Sequence, residues 1–141
     1  MKKILVLLMS VTLAIASYAQ ETGNSLTEIY CNLLADDLIE RTDGYLQNDT
    51  LVTRGEDCIA KSILIGLPAS YNFDLMRMDV RLMAQSYFDV TIASLWQRGY
   101  DGAYHIELSL PYNLAGVIYY SRKVKTIILT IAQEATTNQD Q

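Results

Sequence analysis

Between Ser25 and Thr42 apolar residues recur every three or four positions, and beyond Gly44 they recur mostly every second one. That switch of period, from 3.6 to 2, restricts the chain to a helix followed by half-buried strands. Ser25-Leu-Thr-Glu28 opens the helix as a capping box, in which the serine oxygen accepts an amide and the glutamate reaches back. Leu26, Ile29, Tyr30, Leu33, Leu34 and Leu38 form its apolar stripe, with Glu28, Asn32, Asp36 and Glu40 opposite. Arg41 suits the negative end of the helix dipole and Asp43-Gly44 stops the chain from continuing, so the spacing places this helix at 25–42.

The remainder reads as strands. Tyr45 to Thr53 fits a short hairpin turning at Asn48-Asp49, and Ile59, Ile63, Ile65 and Leu67 fit a strand ending at Pro68, with a helix from Glu56 as the rival. Met76, Met78, Val80 and Leu82 alternate with Arg77, Asp79 and Arg81, the pattern of a strand with one wet face; one long helix over 73–97 is the alternative. Residues 87–110 read as a hairpin turning at Arg98–Gly102, and Pro111 to Gly116 as a loop. Val117 to Ala132 is rich in β-branched and aromatic residues, which favours two strands turning at Ser121-Arg122-Lys123, although Val117, Val124, Ile127, Ile128 and Ile131 also fit a helix. The expected architecture is α+β: an N-terminal helix packed on an antiparallel β-meander of about five strands.

Ahead of this domain, Lys2 and Lys3 precede an apolar stretch, Ile4 to Ile15, broken only by Ser10 and Thr12, and Ser17 and Ala19 supply the small residues of a cleavage site. Residues 1–19 therefore read as a cleaved signal peptide, with a retained anchor as the alternative. The expected organisation is a single domain over 20–135 and a disordered tail at 136–141, exported to the periplasm or the exterior, with no stable membrane insertion after cleavage. Cleavage removes two of eleven basic residues, so nine stand against sixteen acidic ones and the formal charge moves from −5 to −7. Such a balance excludes a general nucleic-acid binder, which needs clustered cations facing phosphates. Export also permits a disulfide between the two cysteines, Cys31 and Cys58, which would contribute ~3 kcal/mol by restricting the unfolded chain; two buried free thiols are the other reading.

Catalytic constellations are not evident. His105 is the sole histidine, and with Glu107 it offers two of the ligands a metal needs. Asp36-Asp37 and Glu56-Asp57 are adjacent acids; on a helix the first two point in different directions. With no Gly-x-Gly-x-x-Gly or P-loop pattern, no catalytic residue, metal or cofactor is expected. Asn48-Asp-Thr50 matches a glycosylation sequon, a short and common pattern.

Tyrosine is the compositional excess, ten in all, and Tyr100, Tyr104, Tyr112, Tyr119 and Tyr120 fall late, near Trp96. Tyr and Trp join a large apolar body to a polar tip and are enriched at binding surfaces, so Trp96, Tyr112, Tyr119 and Tyr120 are the candidate binding residues; half-buried strand positions are the alternative. The reading reached is a non-enzymatic exported binding module acting on a protein or envelope component, in the manner of an inhibitor or immunity protein. The alternatives are a structural subunit forming a homo-oligomer through an edge strand at 117–132, and a small hydrolase.

Overall fold

The computed structural model describes residues 25–54, 58–99 and 101–133, with Arg54 and Cys58 described by their backbone alone. Residues 1–24, 55–57, 100 and 134–141 lie outside the described residues, and with them the expectations of a signal peptide at 1–19 and a tail at 136–141, as well as Glu56-Asp57 and Tyr100. Helix α1 (Leu26–Thr42) is followed by strands β1 (Tyr45–Arg54) and β2 (Cys58–Gly66). Helix α2 (Phe73–Gln85) then leads to β3 (Thr91–Ile92), β4 (Gln97–Arg98), β5 (Tyr104–Ser109), β6 (Leu114–Ser121) and β7 (Thr126–Gln133). All strands join one antiparallel sheet in the order β1-β2-β7-β6-β5-β3, with β4 also on β5. The α+β class is as the periods require; among the described residues there are seven strands rather than about five and two helices rather than one.

Helix α1 begins where its serine cap predicts: Ser25 Oγ accepts the Glu28 amide at 3.1 Å. The Glu28 carboxylate instead approaches Lys61 Nζ, at 3.9 Å. At the other end Asp43 takes the left-handed conformation (φ 55°), and the Gly44 amide closes back on the Ile39 carbonyl at 3.0 Å. Tyr30, Cys31, Leu34, Ala35 and Leu38 are buried against the sheet. Each fully buried leucine or isoleucine contributes roughly 2 kcal/mol.

Residues 76–82 form part of α2, not a strand, and this corrects the alternation reading. Asn72 Oδ1 accepts the Leu75 amide at 2.9 Å and Asp74 lies in the first turn, so the helix starts with a cap and a favourable charge. Met76, Val80, Met83 and Ala84 are buried at 3.6-residue spacing, while Met78 and Leu82 are exposed at 43% and 39%. The helix stops at Gln85, well short of 97.

The remaining differences are local. Tyr45 to Arg54 is one strand with an irregularity at Leu46/Asn48, so no turn forms at Asn48-Asp49. The first arm of the 87–110 hairpin is split into β3 and β4, because the Ala93 amide bonds the Glu107 carbonyl at 2.8 Å and Ser94 Oγ accepts the Glu107 amide at 2.9 Å, which pushes 94–96 out of register. Pro111 to Leu114 is a tight turn with Tyr112 and Asn113 at φ 62° and 59°. Residues 117–132 do form two strands around a turn, but β7 and β6 are interior, flanked by β2 and β5. An edge at 117–132 is therefore ruled out; among the described residues the long free edge is β1.

Register places the core on one side. Ile63, Leu129, Ile118 and Ile106 stand opposite one another across β2, β7, β6 and β5, and all are buried. Both helices cover this face: α1 through the residues above, α2 through Met76, Val80 and Phe73, whose ring stacks on Tyr104 at 3.9 Å.

Candidate functional site

With both helices on one face, the other face of the sheet is left open by the described residues. Its side chains are set by the same registers, one residue out of phase. One row runs Leu64, Ile128, Tyr119 and His105 across β2, β7, β6 and β5. The next runs Ser62, Thr130, Val117 and Glu107, and the third Ala60, Ala132, Ala115 and Ser109. Bulky groups therefore stand along one end and alanines along the other, leaving a shallow trough. The Ser62 and Thr130 hydroxyls bond each other at 2.8 Å across the middle. On the outward rows of β2, β7 and β6 just described there is no charged side chain; Glu107 and His105 enter only at β5.

The bulky end is concave. Leu64, Tyr119, Val124, Thr126 and Ile128 line a pocket of about 360 Å³, closed at the rim by Asp101 and Ser121. Tyr119 is 43% exposed and His105 tilts against its ring at 5.4 Å. An apolar, concave surface bounded by a few polar groups is the usual form of a binding site.

The four aromatic candidates do not share this surface. Tyr119 and Tyr120 are consecutive in a strand and so point to opposite faces: Tyr119 is on the open one, and Tyr120 is wholly buried against the helices. Burial raises the Tyr120 phenol above its ordinary pKa and removes it from any contact with a partner. Trp96 is half-buried, edge-on to Phe73 at 5.2 Å, on the helix side. Tyr112 is exposed at the tip of the β5–β6 turn and leans on Tyr30 of α1 at 6.3 Å. What the tyrosine excess did not mark is the neutral, small-residue make-up of Ala60, Ser62, Ala115, Thr130 and Ala132. The signal for it was present as period-2 alternation in which the outward positions are uncharged.

No disulfide is present among the described residues, where the sequence led to the expectation of a Cys31–Cys58 bridge; the Cys58 side chain lies outside them. Cys31 is a free thiol, fully buried under α1, its Sγ 3.5 Å from the Lys61 carbonyl and 3.7 Å from that of Leu129. Cys58 lies three strand positions from Lys61, about 10 Å along β2. Burial pushes the Cys31 thiol up to about 12, with nearby Lys61 opposing part of the rise. A thiol held neutral in this way is a poor nucleophile. It also makes folding pH-dependent. The native state binds this proton more tightly than the unfolded chain, so the stabilisation is complete below about pH 9 and is withdrawn as pH rises towards 12. The loss is on the order of 4 kcal/mol. Comparing urea unfolding of the wild type with Cys31→Ala from pH 7 to pH 11 should show the wild type losing its lead as the solution becomes alkaline; a constant difference would contradict this.

Among the described residues, no three His, Cys, Asp or Glu side chains are grouped so as to hold a metal ion. No family model, curated protein or solved structure matches the chain significantly.

Proposed function

We propose that this chain is an exported binding module that seats a partner protein of the envelope or exterior on the open face of its sheet. The observation that carries this reading is the uncharged make-up of that face on β2, β7 and β6, in a chain of formal charge −5 whose outer helix surface is acidic. Four strands of about eight residues cover roughly 500 Å² in projection. That is of the same order as one side of a standard protein interface, about 800 Å² per partner. The net negative charge of the chain favours the approach of a basic partner, and no charge has to be desolvated at the centre. An inhibitor or immunity-like role is one form of this function, and the N-terminal segment supports its placement outside the cytoplasm.

Thr130→Arg puts a cation at the middle of the face without touching the core. It should abolish retention of the partner while leaving the thermal midpoint within a few degrees; Asp36→Asn, on the outer surface of α1, should change neither. Retention by Thr130→Arg would contradict the reading. A second reading, self-association, is favoured by one feature: β1 is a ten-residue edge strand with Tyr45, Leu46, Leu51 and Val52 exposed. Light scattering at high concentration separates the two, since a strict monomer removes the self-association reading.

A further inference from the structure

The bulge that separates β3 from β4 opens a recess beside α2. Ile92 stands opposite Leu108 and Gln97 opposite His105, so residues 93–96 cover the span that Ile106 and Glu107 cover on β5. Excess chain of this kind re-aims side chains at a sheet edge. The recess between this edge and α2 measures about 450 Å³, within the roughly 300–1,000 Å³ range of small-molecule sites.

Its walls all belong to the helix-covered side of the sheet. Ile106, 2% exposed, forms the floor, and Ile92 shares the inward phase of Leu108. Trp96 meets Phe73 of α2 edge-on at 5.2 Å. From the helix, Asp74, Arg77, Met78 and Arg81 face the recess at spacings of three and four, the flank of α2 next to its buried stripe. Both walls carry wet apolar surface: Leu95 is 85% exposed, Met78 43% and Ile92 38%.

The charges on the helical wall are unequal. Arg77 Nη2 donates to Asp74 Oδ1 at 2.7 Å, and its guanidinium carbon lies 5.3 Å from the Phe73 ring centroid, so this cation is matched and held. Arg81 has no carboxylate within ion-pair distance among the described residues. One carboxylate and two guanidiniums leave a single positive charge in excess, in a chain of formal charge −5. That surplus matches a monoanion; a second negative charge would face Asp74 with no cation to spare. A free guanidinium fork takes a carboxylate through two parallel hydrogen bonds.

We infer that the recess binds a free monocarboxylic acid with an apolar body. The carboxylate pairs with Arg81, and the body lies over Ile106 against Met78, Ile92, Leu95 and Trp96. Arg81 and Met78 are three residues apart on one flank of α2, so head and body meet the same wall. Neither half suffices: an exposed guanidinium holds a bare carboxylate weakly, and an uncharged body leaves Arg81 without a counter-ion. The site is on the helical side and is independent of the open-face reading.

The test titrates the full chain with octanoate below its micelle concentration, followed by calorimetry and amide chemical shifts. Octanol, acetate and octyl phosphate are the controls, the last at about pH 8 where it is doubly ionised. Octanoate should bind roughly ten-fold tighter or more than octanol and acetate, as charge-assisted hydrogen bonds imply, and tighter than octyl phosphate. Shifts should concentrate at 74–82 and 92–96. Arg81→Gln should weaken octanoate by about ten-fold and leave octanol unchanged. Leu95→Ser, at an 85% exposed position that leaves the core intact, should weaken both by roughly three-fold or more. Lys123→Gln, on the β6–β7 turn, should change nothing. Equal binding of octanol or acetate, binding of octyl phosphate as tight as that of octanoate, or indifference to both Arg81→Gln and Leu95→Ser would overturn the inference. So would shifts confined to 119–128, which would place the ligand on the open face.

Discussion

Val80→Asp is expected to leave no folded protein at 25 °C, whereas Met78→Asp and Leu82→Asp should each lower the thermal midpoint by only a few degrees. Val80 has no exposure and sits between α2 and the sheet; an ionised carboxylate there would have no partner. The carboxyl must either stay ionised or take up a proton there, and with the lost packing either costs several kcal/mol, comparable with the roughly 5–15 kcal/mol by which a domain of this size is stable. Met78 and Leu82 are about two-fifths exposed, and a carboxylate at either stays in water. In a strand with alternating faces, Met76, Met78, Val80 and Leu82 would share one buried side and the three substitutions would be equally damaging. Circular dichroism on the three variants decides it, and comparable unfolding by Met78→Asp would contradict the helix.

The same segment shows where the sequence was readable and where it was not. Met76 and Val80 satisfy a period of 2 and a period of 3.6 alike, and the exposed Met78 and Leu82 make the wrong pattern look complete. The decisive signals lie outside the run: the Asn72 cap before it and the buried Met83-Ala84 pair after it. By contrast α1 was legible because a cap, a stripe and a stop agree. β7 was legible because its inward residues, Ile127, Leu129 and Ile131, are β-branched or leucine over several alternations, and β2 and β6 carry the same pattern at Ile63 and Ile65 and at Leu114 and Ile118. Strand neighbours far apart in sequence leave no local trace, so the pairing of β2 with β7, which moves 117–132 from the edge to the middle, could not be read. For the site, residue type misled. Tyr120 and Tyr119 look alike in sequence, and only the phase of β6 separates a core residue from a surface one.

The second large effect concerns a residue with no sequence signal at all. Lys61 stands on the helix-covered face of β2 with its side chain 7% exposed, its Nζ 3.2 Å from Asp49 Oδ2 and 3.9 Å from Glu28 Oε2. Glu28→Gln combined with Asp49→Asn leaves the ammonium buried without a countercharge, which should cost about 3 kcal/mol or more. Lys61→Met removes the charge and keeps the aliphatic stem packed under α1, so it should be near neutral or slightly stabilising. The two carboxylates are themselves partly wet, at 23% and 54%, so little of the cost comes from losing them as such. Urea unfolding at pH 7 measures both variants. A larger penalty for Lys61→Met than for the double carboxylate variant would contradict the assignment of Lys61 as a buried cation held by its partners.

The claim on which the functional account depends is that partners meet the open face of the sheet and not the helical side. Ile128 and Leu82 are matched probes of the two sides, 38% and 39% exposed. A photo-crosslinking amino acid placed at each position in turn, in cells that produce the full chain, reports directly which side is met. The account predicts a discrete adduct from position 128 and none from position 82. An adduct from position 82 alone would contradict it.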